Sequence, residues 1–166
     1  MLNLVKNQKG QITIEFILIL IIMLIFAQTI ILPNLFSSIN SIRDVSSLAY
    51  ARNAAKKIAD AINFLSLNSS DSALQIEIFL PADTSLRCDP SAKKIFFSSK
   101  ILLPHEACEN DEDANAEICT KSIPTISTLT FNCNAFGSNN TLNSTKNSIY
   151  KISIRRLGDI IYVETK

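Results

Sequence analysis

The chain is short of most residue patterns that chemistry is built from. It has one histidine, His105, and no Cys-x-x-Cys pair, so a zinc site lacks both ligands and spacing. No nucleophile elbow, phosphate-binding loop, GxGxxG fingerprint or HExxH pair occurs, so nothing supports catalysis or implies a cofactor. His105 follows Pro104 with no nucleophile or metal partner beside it and reads as a surface histidine. Charge of either sign is not in excess: 16 Lys and Arg against 15 Asp and Glu leave +1, which argues against nucleic acid as the main partner. Tandem repeats and low-complexity tracts are absent. The 166 residues suffice for one modest domain beside a membrane helix.

What the chain does have is an apolar run, KGQITIEFILILIIMLIFAQTIIL, from Lys9 to Leu32. Roughly 20 apolar residues in a helix cross a bilayer core, so this run is long enough to span one. Lys6 and Lys9 precede it with no acid, which holds the N-terminus in the cytoplasm. Arg43 and Asp44, the first charges beyond it, cancel. Its single internal charge is Glu15, and a carboxylate inside a span costs about 2.5 to 3.5 kcal/mol on insertion scales, usually for a functional reason. The alternative is a carboxylate near the helix end solvated by headgroups. A secretory leader would carry its small residues after the apolar run; here Gly10 comes before it.

Lys9-Gly10-Gln11, then Thr13, Glu15 and aliphatics, resembles the class III signal peptide of archaeal type IV pilin-like proteins. Thr13 stands where that pattern has Ser and keeps the hydroxyl; Ile19 stands for Leu, with Leu18 and Leu20 beside it. The resemblance implies cleavage by a prepilin peptidase between Gly10 and Gln11, leaving residues 11–32 on the mature chain. The physical reading agrees. Gly10 offers no side chain to obstruct a protease, and cleavage frees an ammonium at Gln11. Glu15, four residues on, lies on the same helical face, so one subunit's carboxylate could meet a neighbour's amine and set the axial register. Cyclisation of an N-terminal Gln would remove that cation.

Beyond the run, Pro33 predicts a kink or break, with Leu32 pushed from helical angles. Residues 33–66 then form an amphipathic helix, with Val45, Leu48, Ala55, Ile58, Ala59, Ile62 and Leu65 as its stripe and Asp44 or Ser41 capping its start. From Ala73 the period turns to two: Leu74, Ile76, Ile78 and Leu80 alternate with polar residues and Phe79 until Pro81. Lys94–Leu103 and Ile123–Phe131 are further strand candidates, the second weakened by Pro124. Ile149–Ile154 and Ile160–Val163 predict a hairpin turning over 155–159, with Gly158 suited to positive φ. Residues 67–72, 105–118 and 137–147 read as flexible connections. The expected fold is α+β: a long N-terminal transmembrane or filament-core helix, then an amphipathic helix packed on a small antiparallel β-sheet head, pilin-like. Its divisions are a leader at 1–10, the apolar helix at 11–32, the amphipathic extension at 33–66 and the head at 67–166.

Cys88, Cys108, Cys119 and Cys133 all fall in the last half, an even set beyond a membrane span, and read as two disulfides in an oxidising space. Reduced cytosolic thiols are the plainer alternative. Three pairings are open; Cys108–Cys119 inside Cys88–Cys133 is preferred, a short loop nested in a longer one. Glu109, Asp111, Glu112, Asp113 and Glu117 lack the Asp-x-Asp-x-Asp-Gly calcium pattern and read as a solvated acidic face. Three N-x-Ser/Thr sequons, at Asn68, Asn139 and Asn143, are glycosylation candidates on an exported head.

The expected role is a structural pilin of an archaeal surface filament, serving adhesion. The resemblance implies insertion in the membrane as a single span, then extraction into a helical filament of copies of itself. It also implies a prepilin peptidase, an assembly ATPase and a membrane platform protein as partners. A bitopic anchor presenting a monomeric binding module is the alternative from another class. A minor or pseudopilin component and an archaellin are the alternatives within the same one.

Overall fold

The computed structural model describes the backbone of residues 3–68, 71–101 and 118–165, and their side chains from Ile14 onward apart from Asn134 and Ala135. It contains one long N-terminal helical stretch followed by antiparallel-rich β-sheets, an α+β fold. The chain divides into two compact units, residues 1–41 and 42–166.

The first unit is helical. Helix α1 runs Asn3–Phe26, a π-helical turn occupies Ala27–Ile31, and helix α2 (Leu32–Leu67) begins directly after it. No break occurs at Pro33: Leu32 keeps helical angles (φ −60°, ψ −48°), and its N–H bonds the Ala27 carbonyl five residues back. Pro33 has no N–H for the carbonyl four residues earlier, and its ring would strike that carbonyl in an α-helix. One wider turn moves the clash away and keeps the ladder closed, a standard relief for proline inside an apolar helix. Nor does a helix start at Ser41 or Asp44; both lie inside α2, and Asp44 is buried.

The second unit holds the rest of α2 and eight strands. Strands β1 (Ala73–Leu80), β5 (Thr130–Ala135), β7 (Ser148–Leu157) and β8 (Ile160–Thr165) form one sheet, ordered β1-β7-β8-β5. Strands β2 (Thr84–Asp89), β3 (Lys94–Lys100), β4 (Ile118–Pro124) and β6 (Thr141–Ser144) form the other, ordered β4-β3-β2-β6. There are thus two sheets rather than one small one, and all pairs are antiparallel except β5 with β8. The candidate strand at 123–131 is instead a connection: β4 ends at Pro124, and β5, in the other sheet, starts at Thr130. Proline cannot donate to a ladder, which is why β4 stops there at the sheet's edge.

A single core joins these layers. From α2 it takes Ala51, Ala55, Ile58, Ile62 and Leu65; from the first sheet Ile78, Ile152, Ile154, Ile161 and Val163; from the second Leu86, Ile95 and Phe97. The helix stripe is heavy in alanine, whose small side chains let α2 lie close to its neighbours. Val45 falls outside the stripe, 56% exposed. The β7–β8 hairpin closes on two residues, Gly158 and Asp159, between the paired Leu157 and Ile160. Gly158, with φ 62°, takes the first loop position as a type II′ turn requires. Residues 137–147, expected to be a loop, contain β6. Asn139 and Asn140 both have positive φ between the bridged Ser138 and Thr141, the pattern of a type I′ turn.

Candidate functional site

The most conspicuous surface belongs to the first unit. Between Ile14 and Ile39, eighteen large apolar side chains are each at least 43% exposed. Burying such a side chain fully is worth about 1.5 to 3 kcal/mol. Leaving eighteen of them half in water would therefore cost on the order of 20 kcal/mol, more than the 5 to 15 kcal/mol that holds a typical domain together. Lipid or other protein must cover this helix. By length and composition it can cross a membrane.

Three of its polar side chains bond back to the helix. Thr29 Oγ1 donates to the Ile25 carbonyl at 2.8 Å, Asn34 Nδ2 to Ile30 at 2.8 Å and Ser38 Oγ to Asn34 at 2.9 Å. Each returns a donor to its own helix, which lowers the cost of placing that group in an apolar medium. Glu15 lies exposed one residue after Ile14, the single acid among the described side chains of α1. Gly10 and Gln11 fall within the α1 backbone, while the side chains of Lys6, Lys9 and Gln11 lie outside the described ones.

In the second unit Cys88 of β2 and Cys133 of β5 are joined by a disulfide, Cα–Cα 6.1 Å, that ties one sheet to the other. Both cysteines are buried. Cys119, in β4, is also disulfide-bonded. Cys108, His105 and the acidic residues Glu109, Asp111, Glu112, Asp113 and Glu117 lie outside the described residues. Among the described residues no group of three or more His, Cys, Asp or Glu is placed to hold a metal ion.

The sequon asparagines are spread along the unit. Asn139 is exposed at the type I′ turn, and Asn143 is exposed on β6, an edge strand rather than the loop expected there. Asn68 is half-buried just past the end of α2.

Two features were not anticipated from sequence. Arg156, expected in a turn, lies in β7, and its Nη1 donates to the carbonyls of Leu65 (3.4 Å), Ser66 (3.1 Å) and Asn68, with Nε on Gly158 O at 2.9 Å. The last carbonyls of a helix have no partners within it and carry its negative pole, so a guanidinium there satisfies both needs. The second is Asp89, which closes the β2–β3 hairpin. Its Oδ1 accepts from Ser91 Oγ (2.6 Å), Ser91 N (3.0 Å) and Ala92 N (3.0 Å). The Ser91 hydroxyl, then the Ala92 amide, hold its pKa below the usual 3.8 against a small opposing effect of burial. Asp followed by Pro-Ser was the only available clue. No protein-family profile, curated protein or solved structure matches the chain.

Proposed function

We propose that the chain is a type IV pilin-like subunit of an archaeal surface filament, inserted N-terminus inward, cleaved after Gly10 and polymerised through its apolar helix. The observation that carries this reading is the helix itself: a run of exposed apolar side chains from Ile14 to Ile39, with Thr29, Asn34 and Ser38 bonded back to the backbone and one carboxylate, Glu15, near its start. Ahead of it stands the Lys9-Gly10-Gln11 step. A simple anchor needs no acid at that place. A polymer does, because the one acid of the run, meeting the Gln11 amine of the next copy, has one low-energy register along an otherwise uniform apolar rod. Moving the helix from lipid into a bundle of its own kind exchanges one apolar surrounding for another, and close packing supplies dispersion. In this reading a prepilin peptidase, an assembly ATPase and a platform protein act on the chain, and the head, facing outward, serves adhesion.

The test is the N-terminal peptide of protein isolated from cells, with Glu15→Val as its companion. A mature chain starting at Gln11, and loss of filaments in the variant with the protein still in the membrane, is the expected pair of results. Material that retains Met1, or filaments indifferent to Glu15→Val, would reject the reading in favour of a permanent anchor.

A further inference from the structure

The second sheet buries Leu86, Ile95 and Phe97 and turns its other face outward. Across β4, β3, β2 and β6, one outward row reads Thr120, Ser98, Ser85, Asn143. The adjacent row reads Ser122, Phe96, Arg87, Thr141. Hydroxyls or an amide fill six of these eight positions, where long charged side chains would serve solubility as well. The two exceptions touch: the Arg87 guanidinium lies over the Phe96 ring, 4.7 Å from its centroid.

That stacking orients a planar cation without using its N–H groups. Among the described residues the Arg87 side chain makes no hydrogen bond. The Asp89 carboxylate feels the Arg87 charge, while its Oδ1 is committed to Ser91 and Ala92. The Ser85 and Ser98 hydroxyls bond each other at 2.6 Å, whereas those of Thr120 and Ser122 have no hydrogen-bond partner among the described residues. The next row pairs exposed Lys94 with Asp89, one cation beside one carboxylate, so Arg87 is the cation the face presents without an adjoining acid in its own row. A shallow depression of about 240 Å³ runs between the rows, floored in part by Phe96 and walled by Arg87, Thr120 and Thr141.

We propose that this face binds an acidic polysaccharide, a chain of uronate sugars. A carboxylate matches the in-plane fork of Arg87 bidentately, and the Phe96 ring beneath the guanidinium holds that fork in place. The sugar hydroxyls, both donors and acceptors, match rows of groups that are both donors and acceptors. A phosphate polymer would use the cations alone and leave the hydroxyl rows without a purpose. The proposal rests on the pilin-like reading only in placing the face outside the cell; binding itself needs no polymer.

The full chain in detergent is titrated with polygalacturonate, with neutral dextran and inorganic polyphosphate in parallel. Binding to polygalacturonate alone is expected. Arg87→Ala should weaken it about tenfold, the scale of one charge-assisted hydrogen bond at a surface. Arg87→Lys should recover part, and Thr120→Ala with Ser122→Ala should weaken it severalfold with thermal melting unchanged. No binding by the wild type, equal binding to polyphosphate, or indifference to Arg87→Ala overturns the proposal. Glu15→Val should bind normally, so a failed filament reading and a failed glycan reading give different results.

Discussion

Arg156 offers the sharpest test of how the helix is tied to the sheet. It is half-buried, its guanidinium faces three carbonyls at the end of α2, and its backbone pairs with the connection on both sides. Arg156 N donates to Ser72 O at 2.8 Å, and Asp71 N donates to Arg156 O at 3.2 Å. Arg156→Met keeps the aliphatic stem and the strand while removing the charge and the donors. A hydrogen bond from a charged donor contributes about 1.5 to 3 kcal/mol. The helix-end charge adds roughly 0.5 kcal/mol. Partial exposure lets water replace some of this, so a net loss of about 2 kcal/mol is expected. With a urea slope of 1 to 3 kcal/mol per molar for a unit this size, that moves the unfolding midpoint down by about 1 M. Arg156→Lys retains the charge but not the fork and should lose about half as much. The assay is urea unfolding of the full chain in detergent, read by far-ultraviolet circular dichroism. A Met variant within about 0.5 kcal/mol of wild type, or a Lys variant no better than Met, would refute the capping argument.

Two glycines with nearly equal φ should respond differently. A Cβ on Gly137 (φ 68°) would run into the Thr141 carbonyl, while one on Gly158 (φ 62°) meets nothing within 4 Å. Gly158→Ala should therefore cost about 1 kcal/mol from backbone conformation alone, and Gly137→Ala roughly 3 kcal/mol or more, as seen in paired urea midpoints. Asp89→Ala removes three hydrogen bonds in a largely exposed loop and should cost about 1 kcal/mol at neutral pH. Because its folded pKa lies below the unfolded one, that contribution is complete above about pH 5 and fades as pH falls through and below 3.8. The gap in melting temperature between wild type and Asp89→Ala should close over that range; a constant gap down to pH 3 would show that the charge is irrelevant.

How much could be seen in the residues themselves varies with the physics of each element. Strand β1 was legible to the residue, because alternation from Ala73 stops at Pro81 with no competing period. The last hairpin was legible too, although its first strand runs on past Ile154 to Leu157 and its second past Val163 to Thr165. Strands β2, β4 and β6 were not, since TSLRCD, ICTKSIP and TLNS carry hydroxyls where alternation would want Val or Ile. Their inward positions include Thr84 and Ser144, buried but bonded to the carbonyls of Pro81 and Lys146. A local polar partner replaces apolar character there, and no pattern of single residues reports it. The parallel β5–β8 pair depends on partners 30 residues apart along the chain, beyond any local signal. Pro33 misled for a related reason: a π turn five residues wide absorbs it, and that remedy leaves no mark in composition.

The link between β2 and β5 has a mechanical corollary. Cys88 and Cys133 are 45 residues apart, so if the head is dragged open by its ends, the covalent bond takes the load before those residues can pay out. At about 3.5 Å per residue, roughly 150 Å of slack stays locked inside the loop. Pulled from its two ends, the molecule would reach a considerably shorter extension, and be stiffer, than the chain length suggests.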